Sequence, residues 1–266
     1  MLLRWFEHSR VYFPSREMNA DGAGVGRSFE DVFFTAGDGV KLNGWYFAAE
    51  TNSARASMAI LLCHGNGGNI SHRNEFYRAL LETGVSVFAF DYRGYGRSAG
   101  RPSEAGTYQD GHAAYRWLRE KGFAARNILI YGESLGGGIA SELALREETG
   151  GLILQSTFTS LPDIGAELYP WLPVRLVSSI KYNTHGKLPN IHVPVLILHS
   201  RTDSLIAFHH AEQNFAAANE PKLFQEINGG HNDPLAGRAA YLAGIEEFLR
   251  LVEQWKSEKP AGAAAR

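Results

Sequence analysis

The chain has 266 residues, 44% of them hydrophobic, with 26 basic and 28 acidic side chains that leave a formal charge of -2. That length and apolar content suit a single α/β core, and charges interspersed along the chain exclude the basic stripe of a nucleic-acid binder. The one cysteine, Cys63, excludes an intramolecular disulfide framework, and no stretch approaches the roughly 20 apolar residues of a membrane span.

The chain opens Met1-Leu-Leu-Arg4, so charge interrupts the apolar run before a signal-peptide core of about 7 to 15 residues can form. A cytoplasmic location is expected. The aromatics Trp5, Phe6, Tyr12 and Phe13 alternate with Arg4, Arg10 and Arg16 and are expected to pack along the edge of the domain. Residues 30–36 and 40–48 are β-rich and joined by Gly37-Asp38-Gly39, a hairpin signal. Short apolar runs then follow at residues 58–63, 85–90, 127–131, 151–155, 193–199 and 223–227. Amphipathic stretches separate them at residues 71–82, 107–121, 135–148, 208–218 and 235–255. Continuous apolar runs between helices are what strands covered on both faces of a parallel sheet look like. The pattern predicts one α/β domain over residues 1–257, with an eight-stranded, mostly parallel sheet, an antiparallel N-terminal edge and helices on both faces. Residues 258–266, rich in alanine and glycine, are expected to be a disordered tail.

The run Ile128-Leu-Ile-Tyr-Gly132-Glu133-Ser134-Leu135-Gly136 reads strand, G-x-S-x-G, helix. A turn that sharp holds its serine in a strained conformation, with glycines two residues away on either side leaving room for it. The amides that open the following helix point at any oxygen that turns negative. A serine hydroxyl is protonated at neutral pH and needs a positioned base. His231, in the loop after the last strand, falls on the same C-terminal rim as Ser134, where open α/β sheets bind ligands. Asp203 follows the seventh strand on that rim and is the carboxylate expected to fix the imidazole, with Asp163 and Asp233 in reserve. The pair His209-His210 could bind a metal, but no second ligand pair at fixed spacing accompanies it, so a solvated helix end and no metal are expected.

Several motifs together resemble the Bem46-like, or alpha/beta-hydrolase-domain 13/17-like, group of the α/β-hydrolase superfamily. They are Tyr12-Phe-Pro-Ser15, His64-Gly-Asn-Gly-Gly-Asn69, Phe90-Asp-Tyr-Arg-Gly-Tyr-Gly-Arg-Ser98, Tyr131-Gly-Glu-Ser-Leu-Gly-Gly137 and Ser156-Thr-Phe-Thr-Ser160. The order Ser134, Asp203, His231 is that of the superfamily. The resemblance implies an oxyanion hole made from the amides of Asn66, in the glycine loop, and Leu135, after the serine. It further implies esterase or thioesterase chemistry without a cofactor, on a small-molecule ester or thioester.

Between the sixth and seventh strands, residues 158–192 leave room for only a minimal cap, because Pro162, Pro170, Pro173 and Pro189 divide them. Phe158, Tyr169, Trp171 and Leu172 are expected to form a shallow wall beside Ser134, which favours short acyl chains. The competing readings are a serine peptidase or amidase, a long-chain acyl-protein thioesterase, and a non-catalytic binding protein of the same fold. Nothing in the sequence assigns an oligomeric state.

Overall fold

In the computed structural model, which describes residues 2–258, eight strands form one sheet. They are Glu30–Thr35 (β1), Lys41–Phe47 (β2), Ala59–Cys63 (β3), Ser86–Asp91 (β4), Ile128–Glu133 (β5), Gly151–Gln155 (β6), Val195–His199 (β7) and Lys222–Glu226 (β8). Their spatial order is β8-β7-β6-β5-β3-β4-β2-β1. Strand β2 runs antiparallel to both β1 and β4, and every other pairing in the sheet is parallel.

Alternation within the strands decides which helix covers which face. From β3, Ala59, Leu61 and Cys63 join a cluster with Ala114, Leu118, Ile139, Leu143 and Ala211. Those partners lie on Glu104–Glu120 (α3), Gly136–Arg146 (α4) and Phe208–Ala217 (α8). Ile60 and Leu62 point the other way, into a cluster with Tyr77, Leu80, Ile245, Phe248 and Val252. Asn74–Glu82 (α2) and Arg238–Glu258 (α9) supply that side. Both sets are buried, so each large apolar side chain contributes about 1.5–3 kcal/mol and both faces are closed to water. Cys63 is fully buried among them, and burial pushes its thiol well above the ordinary value. Among the described residues, no helix is long and apolar enough to cross a membrane.

The first residues, expected only to pack along the domain's edge, form a helix, Leu2–Val11 (α1). Its follow-on Phe13–Pro14 pairs in parallel with Gly67–Gly68 of the glycine loop. The minimal cap consists of three short helices, Leu161–Leu168 (α5), Val174–Val177 (α6) and Thr184–Lys187 (α7). Of the predicted tail, Glu258 is the last residue of α9, and residues 259–266 lie outside the described part of the chain.

Candidate active site

Strand order reverses at β3, which feeds β4 on one side and lies beside β5 on the other. The crevice beyond the C-terminal ends of β3 and β5 is therefore the position at which an open α/β sheet gathers a ligand. The glycine loop leaves β3 there, and Ser134 leaves β5 there.

Ser134 has φ 51°, a left-handed conformation that is rare outside glycine and reflects a surrounding structure that holds it. A β-carbon on Gly132 would come 2.6 Å from Gly136 O, and one on Gly136 would come 2.0 Å from Cys63 O. Neither position has room for any other residue, which is the physical content of G-x-S-x-G here. The Ser134 amide donates to Gln155 O (2.9 Å), while its carbonyl accepts from the Gly137 amide (2.9 Å) and the Thr157 hydroxyl (2.7 Å).

Ser134 Oγ lies 3.0 Å from His231 Nε2, and His231 Nδ1 lies 2.8 Å from Asp203 Oδ2. The other carboxylate oxygen of Asp203 accepts from the amides of Leu205 (2.9 Å) and Ile206 (2.8 Å), so the acid cannot swing away. Burial alone would raise the Asp203 carboxyl. The hydrogen bond from His231 and the two amides outweigh it and hold the group below its ordinary value. With the acceptor fixed at Nδ1, the ring proton belongs on Nδ1, and Nε2 is left to receive a proton from the serine. The three residues singled out from the sequence thus meet in one chain of hydrogen bonds. The reserves are engaged elsewhere or stand apart from it: Asp163 accepts from Ser160, Thr159 and Arg175, and Asp233 lines the outer cleft.

The two segments that carry the expected oxyanion donors, the glycine loop and the start of α4, both adjoin Ser134. A β-carbon on Gly65 would lie 3.5 Å from Ser134 Cβ, so the glycine loop runs directly against the nucleophile. His64 Nδ1 donates to Gly65 O (2.7 Å), which fixes the Gly65–Asn66 peptide and hence the direction of the Asn66 amide. Tyr95 OH (2.9 Å) and the Phe13 amide (3.1 Å) hold Asn66 O. On the other side, no side chain caps α4 at Leu135. The first turn of that helix begins beside the nucleophile, with its positive end toward any developing anion.

Two residues that the sequence did not mark complete the frame. The Arg73 guanidinium donates to Glu133 Oε2 (2.8 Å), Asn69 O (2.9 Å) and Gly67 O (3.2 Å), and Glu133 Oε2 also accepts from the Gly65 amide (3.2 Å). Burial would raise the Glu133 carboxyl, but Arg73 more than offsets it and keeps the group below its ordinary value. A charged residue at the first variable position of G-x-S-x-G, at the end of a buried strand, was the available signal.

The cleft around Ser134 is open and of mixed polarity, about 590 Å³, lined by Asn66, Arg73, Phe76, Glu133, His231 and Arg238 among others. The expected wall is not part of it. Phe158 is buried in the core under α5. Tyr169 and Leu172 line a separate groove against α1, and Trp171 is exposed, edge-on to Tyr169. The sequence reading had no helix at α1 for these residues to pack on, and so aimed them at the nucleophile.

Glu167, His209 and His210 bring their ligand atoms within 4.8 Å of one another. The Thr159 amide donates to His210 Nδ1 (3.2 Å), which puts the ring proton on Nε2, facing Glu167 at 3.3 Å. An ion at Nε2 would have to displace that proton, so the cluster is better described as a hydrogen-bonded clasp between α5 and α8 than as a ligand set.

Residues 54–188 match the family described as serine aminopeptidase, S33. The chain is 40% identical over 250 residues to an uncharacterized protein of Mycobacterium tuberculosis, covering 92% of this chain and 88% of that one. An alpha-beta hydrolase of Vibrio vulnificus superposes with a TM-score of 0.76 at 22% identity, with 93% of each chain covered. The esterase Pf2001 of Pyrococcus furiosus superposes at 0.74 with 21% identity, over 91% of this chain and 98% of that one. The predicted sheet and its helices are those of the α/β-hydrolase fold.

Proposed function

The chain belongs to the serine aminopeptidase S33 family of α/β hydrolases, and from that membership we propose that it cleaves carboxylic esters or thioesters through an acyl-Ser134 intermediate. The observation that carries the proposal is the continuous hydrogen-bond chain from Ser134 Oγ through His231 to Asp203, at 3.0 Å and 2.8 Å, on a backbone held at φ 51°. In this reading Ser134 Oγ attacks the carbonyl carbon as its proton passes to His231 Nε2. Asp203 stabilises the resulting imidazolium. The carbonyl oxygen, now negative, accepts hydrogen bonds from the Asn66 and Leu135 amides, where preorganised donors are worth about 10²- to 10³-fold each in rate. Collapse expels the alcohol or thiol, which takes the proton from His231. A water deprotonated by the same His231 then releases the acid and restores Ser134.

The family description raises aminopeptidase activity as an alternative. That reaction needs an acidic group to hold the substrate ammonium, and the carboxylate beside the nucleophile, Glu133, is already bound to Arg73 and the Gly65 amide. Arg73 and Arg238 line the cleft together with Glu75 and Asp233, so its charges are mixed. Hydrolysis of uncharged esters or thioesters needs no group to hold an ammonium. Within the family, the motifs around residues 12–15, 64–69 and 90–98 support placement with the Bem46-like group.

The test is hydrolysis of p-nitrophenyl acetate together with labelling by a fluorophosphonate probe. Wild type should turn over the ester and carry the label on Ser134. Ser134→Ala and His231→Ala should each lose about 10³-fold or more in kcat, and Asp203→Asn nearly as much, while the protein stays folded. Labelling that survives Ser134→Ala would end the proposal.

A further inference from the structure

The carboxylate that supports the base has a second imidazole behind it. His199, the last residue of β7, is fully buried, with its ring edge-on to that of Phe208 at the start of α8, 5.9 Å between centroids. Ile206 O lies 2.8 Å from His199 Nε2. A carbonyl only accepts, so the ring proton sits on Nε2. The same Nε2 lies 3.7 Å from Asp203 Oδ2, the oxygen that faces His231 Nδ1 at 2.8 Å. That is too long for a second hydrogen bond, so any influence of the ring on the acid runs through Ile206 rather than by direct contact. His199 Nδ1 has no hydrogen-bond partner among the described residues. What the imidazole adds to a hydrocarbon of the same shape is therefore the one donor at Nε2.

That donor reaches the acid through a short turn. Asp203 Oδ1 accepts from the amides two and three residues on, those of Leu205 and Ile206. A carboxylate bonded in this local way is fixed relative to its own turn, but the turn is not thereby fixed relative to the sheet. His199 supplies that link. Its backbone belongs to β7, paired on one side with β6 and on the other with β8, and its carbonyl accepts from the Ile227 amide (3.0 Å). Bonds then run from the His199 ring to Ile206 O, from the Ile206 amide to Asp203 Oδ1, and from Asp203 Oδ2 to His231. The loop that carries the base joins the same frame, because the Thr202 hydroxyl donates to Gly229 O (3.0 Å). The titratable groups around the ring are Asp203, His231 and His210. Burial lowers the imidazole below its ordinary value, against the pull of Ile206 O and Asp203, so the ring is neutral above about pH 6.5.

We propose that His199 is a positioning residue for the catalytic acid: its bond to Ile206 O holds the Asp203–Ile206 turn where Asp203 Oδ2 meets His231 Nδ1. The effect on rate rests on the acyl-Ser134 reading, whereas the tie from His199 to the Asp203–His231 bond does not. The acid orients the imidazole and stabilises the imidazolium, and both depend on the close placement of a single oxygen. A carboxylate that is present but carried on a loosened turn loses part of that work, while the cleft that binds substrate is left as it was.

Three replacements separate the bond from the ring. His199→Phe keeps a flat ring and removes the donor, and His199→Leu carries the test if the phenylalanine variant does not fold. His199→Gln returns an amide N–H in place of Nε2. On p-nitrophenyl acetate, His199→Phe should lower kcat about 10- to 100-fold with KM within about twofold, a fraction of the roughly 10⁴-fold that a misplaced acid can cost. His199→Gln should bring kcat back to within about threefold of wild type. Added to Asp203→Ala, His199→Phe should slow fluorophosphonate labelling of Ser134 by less than about twofold, against about tenfold or more when Asp203 is present. An equal loss in both backgrounds would overturn the proposal. So would a kcat unchanged by His199→Phe and His199→Leu, which would show that the buried Ile206 side chain anchors the turn unaided. A readout free of turnover is the far-downfield proton resonance of His231 Nδ1–H in its bond to Asp203. It should be present in wild type and His199→Gln, absent in Asp203→Ala, and broadened or lost in His199→Phe. If no ester is hydrolysed but the resonance follows this pattern, the esterase reading fails while the positioning role stands. A resonance equally sharp in folded His199→Phe refutes that role whatever the activity.

Discussion

Replacing Arg73 by methionine tests whether the glycine loop is held from behind rather than by its own turn geometry. Arg73 contributes one guanidinium to three acceptors, Glu133, Asn69 O and Gly67 O, at 2.8, 2.9 and 3.2 Å. Methionine keeps much of the apolar stem and removes all three bonds, leaving the Glu133 carboxylate with only the Gly65 amide. Breaking one partner of a fully buried pair costs about 3–5 kcal/mol. The Arg73 and Glu133 side chains are 10% and 20% exposed, so water can reach the orphaned carboxylate and the lower end, about 3 kcal/mol, applies. In a chain of this size that is a fall of about 6–12 °C in Tm. The loop carries the Asn66 amide, and loss of a whole oxyanion donor costs about 10²- to 10³-fold. A loop loosened rather than deleted should lose about 10- to 100-fold in kcat with little change in KM. The assays are thermal melting by circular dichroism and steady-state ester hydrolysis. Adding Glu133→Gln to Arg73→Met removes the stranded charge and should return much of the Tm without restoring kcat. If Arg73→Met kept kcat within about twofold of wild type, the guanidinium would not be what aims the loop. If the double variant recovered kcat with Tm, the effect would have been charge and not geometry.

Acid should destabilise the protein in two stages. Burial lowers the imidazoles of His199 and His210 below the ordinary 6.5, against the opposing pull of Ile206 O and Glu167 respectively. A base depressed on folding favours the native state above its unfolded value, so this contribution is full above about pH 6.5 and falls as pH drops below it. Asp203, Glu133 and Glu142 are also depressed, so their contribution is lost at lower pH, below the ordinary 3.8 to 4.5; Asp110, raised by burial, partly opposes them. Tm measured from pH 8 to 3.5 should hold level, decline below about 6.5 and steepen below about 4.5; a Tm that rises from pH 7 to 5 contradicts the assignment. Gly136→Ala should destabilise by about 1–3 kcal/mol or more and abolish fluorophosphonate labelling, because its β-carbon would sit 2.0 Å from Cys63 O, a backbone atom that cannot step aside. An alanine variant that melts and labels like wild type would show that the turn has slack.

How much of this was legible depended on whether the cause was local. The strands from Ala59–Cys63 to Val195–His199 declare themselves because a strand buried on both faces must be apolar without interruption. Ser134, His231 and Asp203 were legible for a related reason: each stands just past a strand end, where the fold puts chemistry, so position and residue type reinforce one another. Arg73 stands in a turn of ordinary composition. Its role depends on Glu133, 60 residues away in the chain, and on two backbone carbonyls that carry no signature in the sequence.

The helix α1 was illegible for a different physical reason, and with it the groove. Its apolar residues Phe6 and Val11 face the cap, while Trp5 on the same helix is 71% exposed, so the pattern is not that of a helix seated on a core. What fixes it is Glu7, whose carboxylate caps the amides of Ser179 and Ile180, more than 170 residues away along the chain. Seen from α1 alone, a glutamate between two arginines is a solvated residue. Seen from the cap alone, Leu168, Leu172 and Val177 are apolar side chains with no stated neighbour, and the economical assignment turns them toward the nucleophile. Only the pairing of the two segments converts an exposed wall into a slot.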